Sequence, residues 1–379
     1  MEFGLTQEQE MIRSQAAEFL KNECPTAFVR DLMKSTQGHS EELWGKMSAM
    51  GWMGLILPEE YGGSGLSFVE LVVVLEQMGR ALLPGAYFSS VLLAGLALLE
   101  AGSDEQKNQW LVPLAQGKLK ATLALTEPDG RWVAAGVRAT AQPSRQGYLA
   151  NGTKLFVPDA QVADLIICAL RTSVSTRLED GITLFAVDRD TEGLNITPLK
   201  TMDETRRLYE VSFESVLVPG NRVIGITDRG WPVIKSVIDR ATIGLCAEMV
   251  GGGQKVLDMC VEFSKSRVQF GRPIGSFQAI QHKCADMLLL TESARSAVYS
   301  AACFASEKKS DVGLLASIAK AYTSDAYTRV AGEGIQIHGG MGFTWEHDAH
   351  LYFKRAKSDE GTFGDASYHR ERVATLIGL

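Results

Sequence analysis

With 379 residues, 45% of them hydrophobic and 22% charged, the chain has an ordinary globular composition and enough length for two or three packed domains. Its formal net charge of −7 leaves no basic face of the kind that neutralises phosphates, which excludes a nucleic-acid footprint. The six cysteines (Cys24, Cys168, Cys246, Cys260, Cys284 and Cys303) are spread singly with no C-x-x-C pair. They predict neither a disulfide framework nor a metal site, but small buried side chains in a reducing compartment.

The N-terminal Met1-Glu2-Phe3-Gly4 has neither the basic start nor the apolar core of a signal peptide and is not Arg-rich, so a cytoplasmic location is expected. Thr6 and Gln9 have the spacing of a capping box, and Ile12, Ala16, Phe19 and Leu20 follow at helical intervals. A second helix is predicted over Glu41 to Met50, ending at Gly51, and a glycine-rich turn over Pro58 to Gly65. The most apolar stretch, Phe68 to Leu99, is broken by Glu70, Glu76, Arg80 and Pro84. It predicts packed helices, because a membrane span needs about 20 uninterrupted apolar residues.

From about Ala121 to Gly225 the period changes from helical to alternating. Asn151-Gly152, between Tyr148-Leu149 and Leu155-Phe156-Val157, predicts a hairpin turn because both residues tolerate positive φ. Leu165 to Leu170 and Ile182 to Val187 read as buried strands, and Tyr209, Val211 and Phe213 alternate with Glu210, Ser212 and Glu214. After Asp228-Arg229-Gly230 long helices return at about 231 to 267, 277 to 307 and 311 to 338, with a short one near 366 to 377. Four helices with brief connections predict an antiparallel bundle.

The expected class is therefore α+β multidomain: an N-terminal helical domain (1–120), a central β domain (121–225) and a C-terminal four-helix bundle (226–379). No G-x-G-x-x-G follows a strand, which disfavours a nicotinamide-dependent dehydrogenase. The Gly251-Gly252-Gly253 run falls in a helical stretch and reads as close helix packing.

Four segments occur in order over nearly the whole chain: Leu125-Thr126-Glu127-Pro128, Asn151-Gly152-Thr153-Lys154, Arg267 through Gln278 (RVQFGRPIGSFQ) and Gln336 through Gly340 (QIHGG). Together they resemble the acyl-CoA dehydrogenase family. The resemblance implies that the central domain is a β barrel. It also implies an FAD cofactor, an acyl-CoA substrate oxidised to enoyl-CoA, a homo- or hetero-tetramer of family subunits, and an electron-transfer flavoprotein as electron acceptor. Arg267 matches the family arginine that reaches the FAD pyrophosphate of a neighbouring subunit, a task suited to a forked cation. Phe270 and Gln278 match the residues beside it, and Gln336 with Gly339 and Gly340 matches the segment that packs on the adenosine half.

On the other half of the flavin site, Thr126 matches the family threonine, but the glycine-serine pair that follows in relatives is replaced by Arg131-Trp132. The W-I-T/S element appears as Phe156-Val157-Pro158. Phe156 can still cover a flavin ring, whereas Pro158 offers neither hydroxyl nor N–H. The usual base is the glutamate of an E-G-T motif, and counting from Ala356-Lys357 that position is Phe363, followed by Gly364-Asp365. A literal Glu360-Gly361-Thr362 lies three residues early. The alternative base position, in the first bundle helix, reads Ala241-Thr242, with Asp239 at a place that contacts the acyl-CoA chain in relatives.

Candidates for the base are thus Glu360, Asp239 and Asp365, with Asp239 also expected at the substrate. Two enzyme readings follow: a self-sufficient dehydrogenase with a relocated base, and a non-catalytic partner subunit supplying trans FAD contacts in a heteromeric dehydrogenase. Phe343 through Asp348 and Phe363-Gly364-Asp365 resemble branches with paired subunits that act on steroid side chains and ring-derived acyl-CoAs. A scaffold without acyl-CoA contact is the third reading.

Overall fold

The computed structural model describes residues 4–307 and 311–379, so Met1-Glu2-Phe3 lie outside it. Six helices come first: α1 (Gln7–Glu23), α2 (Thr26–Lys34), α3 (Glu41–Ala49), α4 (Phe68–Arg80), α5 (Leu96–Ala101) and α6 (Asp104–Ala115). Eight strands follow: β1 (Ala121–Ala124), β2 (Thr140–Ser144), β3 (Gly147–Pro158), β4 (Leu165–Arg171), β5 (Ile182–Asp188), β6 (Leu194–Pro198), β7 (Leu208–Val218) and β8 (Val223–Ile224). Then come α7 (Gly230–Ser266), the short strands β9 (Val268–Gln269) and β10 (Arg272–Pro273), α8 (Gln278–Ser306), α9 (Val312–His338), α10 (Ala349–Gly361) and α11 (Ala366–Leu376).

The chain divides into two compact units. Unit 1 comprises 1–31, 67–83 and 242–379, and unit 2 comprises 32–66 and 84–241.

In unit 1 the helix starts follow local chemistry. Thr6 and Gln9 form the expected capping box on α1, and Ser67 with Glu70 forms another on α4. Helix α4 is buried almost throughout, from Phe68 to Gly79, so it is the core element of this unit. It packs closely on α7: a Cβ on Gly79 would sit 2.0 Å from the Glu248 carbonyl oxygen, and one on Gly251 would sit 1.8 Å from that of Glu76. The Gly251-Gly252-Gly253 run is thus a close helix crossing, with the hydroxyl of Tyr327 against Gly252. Five helices, not four, lie in the C-terminal part of the described chain. The sequence reading missed α10 because its charged stretch, Lys354 to Glu360, hides the apolar face made by Ala349, Leu351, Tyr352 and Ala356.

In unit 2 the sheet runs β6-β7-β3-β2-β4-β5-β8, with β1 added parallel to β4. Its core comprises the alternating inward residues of β7 (Tyr209, Val211, Phe213) with Ala141, Ala150, Ile166, Cys168 and Phe185. Two expectations are corrected here. The sheet is open and no closed barrel forms, because the end strands β6 and β8 pair only with β7 and β5 respectively. The hairpin turn lies at Arg145-Gln146, since β2 pairs with β3 through Ser144↔Gly147. Asn151-Gly152 instead lie inside β3 at a bulge against β7, where the Asn151 Oδ1 accepts from Ser215 N at 2.9 Å. Gly152 is required there because a Cβ would come within 2.6 Å of Ala139.

No helix among the described residues is long and apolar enough to cross a membrane, and no group of metal-ligating side chains is found among them. All six cysteines are free; Cys24, Cys168, Cys246 and Cys260 are buried as expected, whereas Cys284 is half-buried and Cys303 exposed.

Candidate functional site

The residues matched to the trans half of a flavin site all belong to unit 1 and gather at the C-terminal ends of α7 and α9. Arg267 closes the base of the β9–β10 hairpin, its N–H donating to Phe263 O at 2.8 Å and its carbonyl accepting from Ile274 N at 2.8 Å. Phe270 at the hairpin tip has a φ of 54° and is 92% exposed. Gln278 opens α8. The ring of Phe263 lies 4.6 Å from that of His338, which brings the hairpin beside Gln336, Gly339 and Gly340.

Arg267, Gln278 and Gln336 are exposed, and among the described residues their side chains have no partner. A Cβ built on Gly339 or Gly340 meets nothing within 4 Å, so these glycines face open space. Unpaired forked and amide donors beside an open backbone suit a dinucleotide's phosphates and polar edges.

In unit 2, Thr126 follows β1, is 4% exposed, and its hydroxyl has no partner among the described residues. Its carbonyl accepts from Leu155 N at 2.8 Å, which ties the segment to β3. Two residues that the sequence reading quoted without a role hold it in place. Lys154 Nζ, wholly buried, donates to Glu127 Oε1 at 2.6 Å and to Leu125 O at 3.2 Å, on either side of Thr126. Glu127 Oε1 also accepts from Arg138 N and Ala139 N at 2.9 Å each, closing the neck of the loop that carries Arg131 and Trp132. Burial lowers the Lys154 pKa and the Glu127 charge opposes that shift. No local sequence signal marks the pair, because Glu127 lies in the loop after β1 and Lys154 in β3, 27 residues apart.

Phe156 sits at φ 57° and is 46% exposed, so its ring is presented outward. Pro158 ends β3 and contributes only its carbonyl, which accepts from the Thr122 hydroxyl at 2.7 Å. The residues present therefore fit FAD at Thr126, Phe156 and the trans set, while the donor expected at Pro158 is missing.

Phe363, which the sequence resemblance matches to the family's base position, lies in the turn between α10 and α11, 4% exposed and at φ 62°, a left-handed conformation unusual for a bulky residue. The turn is clamped from within. The Lys320 ammonium donates to Ser324 Oγ, Glu360 O and Gly364 O, each at 3.0 Å. His369 Nε2 bonds to Phe363 O at 3.1 Å. Burial, assisted by the Lys320 charge, pushes the His369 pKa down to about 4, so the ring is neutral and its Nε2 is the donor.

Glu360 lies on α10, with its carboxylate paired to Lys357 one turn earlier. Asp365 caps α11, accepting from Tyr368 N at 2.8 Å, which gives it a structural task. Asp239 belongs to unit 2, in the first turns of α7, and is 6% exposed. Glu360 and Asp239 thus belong to different units.

Comparison with known proteins assigns the family. Residues 6–118 match the acyl-CoA dehydrogenase N-terminal domain, 122–216 its middle domain and 228–377 its C-terminal domain. Acyl-CoA dehydrogenase IpdE2 of Mycobacterium tuberculosis is 36% identical, over 92% of this chain and 91% of that one. The butyryl-CoA dehydrogenase structure from Megasphaera elsdenii superposes with a TM-score of 0.92 at 29% identity over all of both chains. A chain in the structure of the electron transferring flavoprotein of Acidaminococcus fermentans gives 0.93, also at 29% identity over all of both chains. With all three domain matches in order and relatives along its whole length, this oxidoreductase chain belongs to the acyl-CoA dehydrogenase family.

Proposed function

We propose that this chain is one subunit of an FAD-dependent acyl-CoA dehydrogenase that works in a heteromeric tetramer, beside a related subunit carrying the catalytic base. When bound, FAD supplies the chemistry by accepting the β-hydride of an acyl-CoA thioester and passing its electrons to an electron-transfer flavoprotein. This chain's share is positional. Arg267 takes the pyrophosphate, Phe270 and Gln278 flank it, and Gln336 with Gly339 and Gly340 receives the adenosine half, all on behalf of a neighbouring subunit's flavin. Thr126 and Phe156 keep the outline of the chain's own flavin face.

The observation that carries this reading is Phe363, a buried phenyl ring at the place to which the sequence resemblance assigns the family's catalytic glutamate. General-base catalysis needs a group within hydrogen-bond reach of the proton, and a phenyl ring cannot accept one. Two further departures, Trp132 for a small serine and Pro158 for a hydroxyl donor, belong to the same set of reacting positions. The similarity to a solved steroid acyl-CoA dehydrogenase, 30% identical over 98% of both chains with a TM-score of 0.88, supports a steroid-derived acyl group as substrate class. A self-sufficient homotetramer is favoured by one observation, the buried carboxylate of Asp239, which then serves as relocated base.

Flavin stoichiometry separates the two. Purified alone, the chain is expected to hold little FAD and turn over no acyl-CoA; co-purified with the product of its neighbouring gene, it is expected to be yellow, active, and indifferent to added nicotinamide. Full flavin loading and turnover by the chain alone would establish the homomeric reading instead.

A further inference from the structure

Unit 1 contains a cavity of about 730 Å3 that takes no part in the flavin and acyl-CoA contacts. It lies between the second half of α1, the start of α2, the end of α4, Lys255 of α7 and Tyr352 of α10. Lys255 precedes Arg267 by twelve residues, about 18 Å along the helix, so the cavity is well separated from the trans flavin set. A neighbouring hollow of about 620 Å3 shares Ala17, Gln77 and Arg80 with it.

The lining has an apolar wall and a cationic side. Ala17, Leu20 and Ala81 form the wall. Lys21 and Lys255 line the cavity with no acidic partner among the described residues, while Arg80 is held by Asp258 at 2.5 Å. Glu18 is the single carboxylate in the lining. The Cys24 thiol adds no negative charge, because burial pushes its pKa up to about 12.

Two independent features point to a ligand. Gln77 is 8% exposed, lines both hollows, and its side-chain amide has no hydrogen-bond partner among the described residues. Buried amides are nearly always paired, so an unpaired one facing a cavity marks a place for a polar group from outside. The nine-residue α2 begins in the lining at Pro25-Thr26 with no acid in its first turn. A helix start offers unpaired N–H groups and a partial positive charge to an anion.

We propose that this cavity binds an organic phosphate of about mononucleotide size, with its phosphate between Lys21, Lys255 and the start of α2, its body against Leu20 and Ala81, and a polar group of the body on Gln77. The volume lies within the range of small-molecule sites.

The test is calorimetric titration of the FAD-loaded assembly with AMP and, separately, with inorganic phosphate, so that the flavin's own adenosine contacts are already filled. AMP is expected to bind saturably and more tightly than phosphate. Lys21→Ala/Lys255→Ala is expected to weaken both probes at least tenfold, and Gln77→Leu to weaken AMP alone. Should the double variant assemble poorly, Lys255→Gln gives the same reading with one half-buried charge removed and part of its stem retained. No saturable binding at millimolar AMP, AMP no tighter than phosphate, or AMP binding unaltered in the lysine variants would each overturn the proposal; the last would place AMP at another site.

Discussion

Lys320 Nζ donates to the carbonyl oxygen of Gly364 at 3.0 Å, tying the middle of α9 to the turn that carries Phe363. With its other two protons on Glu360 O and Ser324 Oγ, the ammonium is fully used inside the protein, where burial lowers its pKa. Removing it leaves two main-chain carbonyls without donors. Lys320→Met is therefore expected to lower stability by about 2–4 kcal/mol, read as a fall in the urea midpoint. A loss below 1 kcal/mol would show that water replaces the ammonium.

His369 makes this turn sensitive to acid. Its pKa is near 4 in the folded chain against an ordinary 6.5, so between those values the unfolded chain binds a proton that the folded chain refuses. The stability held by the neutral ring is complete above about pH 6.5 and falls by up to about 3 kcal/mol as the pH drops to about 4. Lys320, Arg372, Asp365 and the Phe363 carbonyl are the groups that act on the ring. Urea midpoints at pH 4.5 and 7 should show a smaller acid loss in His369→Gln than in the parent; an identical loss would assign the effect to other groups.

Arg267→Ala is expected to strip FAD from the assembled oligomer while leaving the fold alone. The side chain is exposed and makes no hydrogen bond or ion pair within the described chain, so the stability change should stay within about 0.5 kcal/mol. The check is flavin absorbance after gel filtration of the complete assembly. Unchanged flavin content would remove Arg267 from the cofactor site.

If the base belongs to a partner subunit, neither carboxylate candidate in this chain should matter greatly for turnover. Glu360→Gln and Asp239→Asn are each expected to leave kcat of the complete complex within about threefold, whereas loss of a true general base costs about 10²–10⁴-fold. Asp239→Asn is expected to raise KM if the acid touches the acyl-CoA chain. Assay with an artificial electron acceptor decides the matter. A hundredfold fall in kcat with flavin intact would identify the relocated base and end the partner-subunit reading.

Features that depend on near neighbours were legible in the sequence: the Thr6–Gln9 capping box, the stop at Gly51, where φ is 76°, and the alternation of Tyr209, Val211 and Phe213 into the core. These are set within a helical turn or a strand pair of residues, as are the motif segments that carry the family resemblance. Tertiary structure decided the rest. Whether the sheet closes depends on β6 and β8 meeting, strands separated by the whole of β7, and they do not meet. The strong local turn signal of Asn151-Gly152 lost to a bulge, because β3 continues its pairing with β7 past that point. The Lys154–Glu127 pair spans 27 residues and the Lys320–Gly364 bond 44, so no local pattern announces either. A buried charge acquires its partners only when distant segments pack around it, and its cost unpaired is what makes those partners specific.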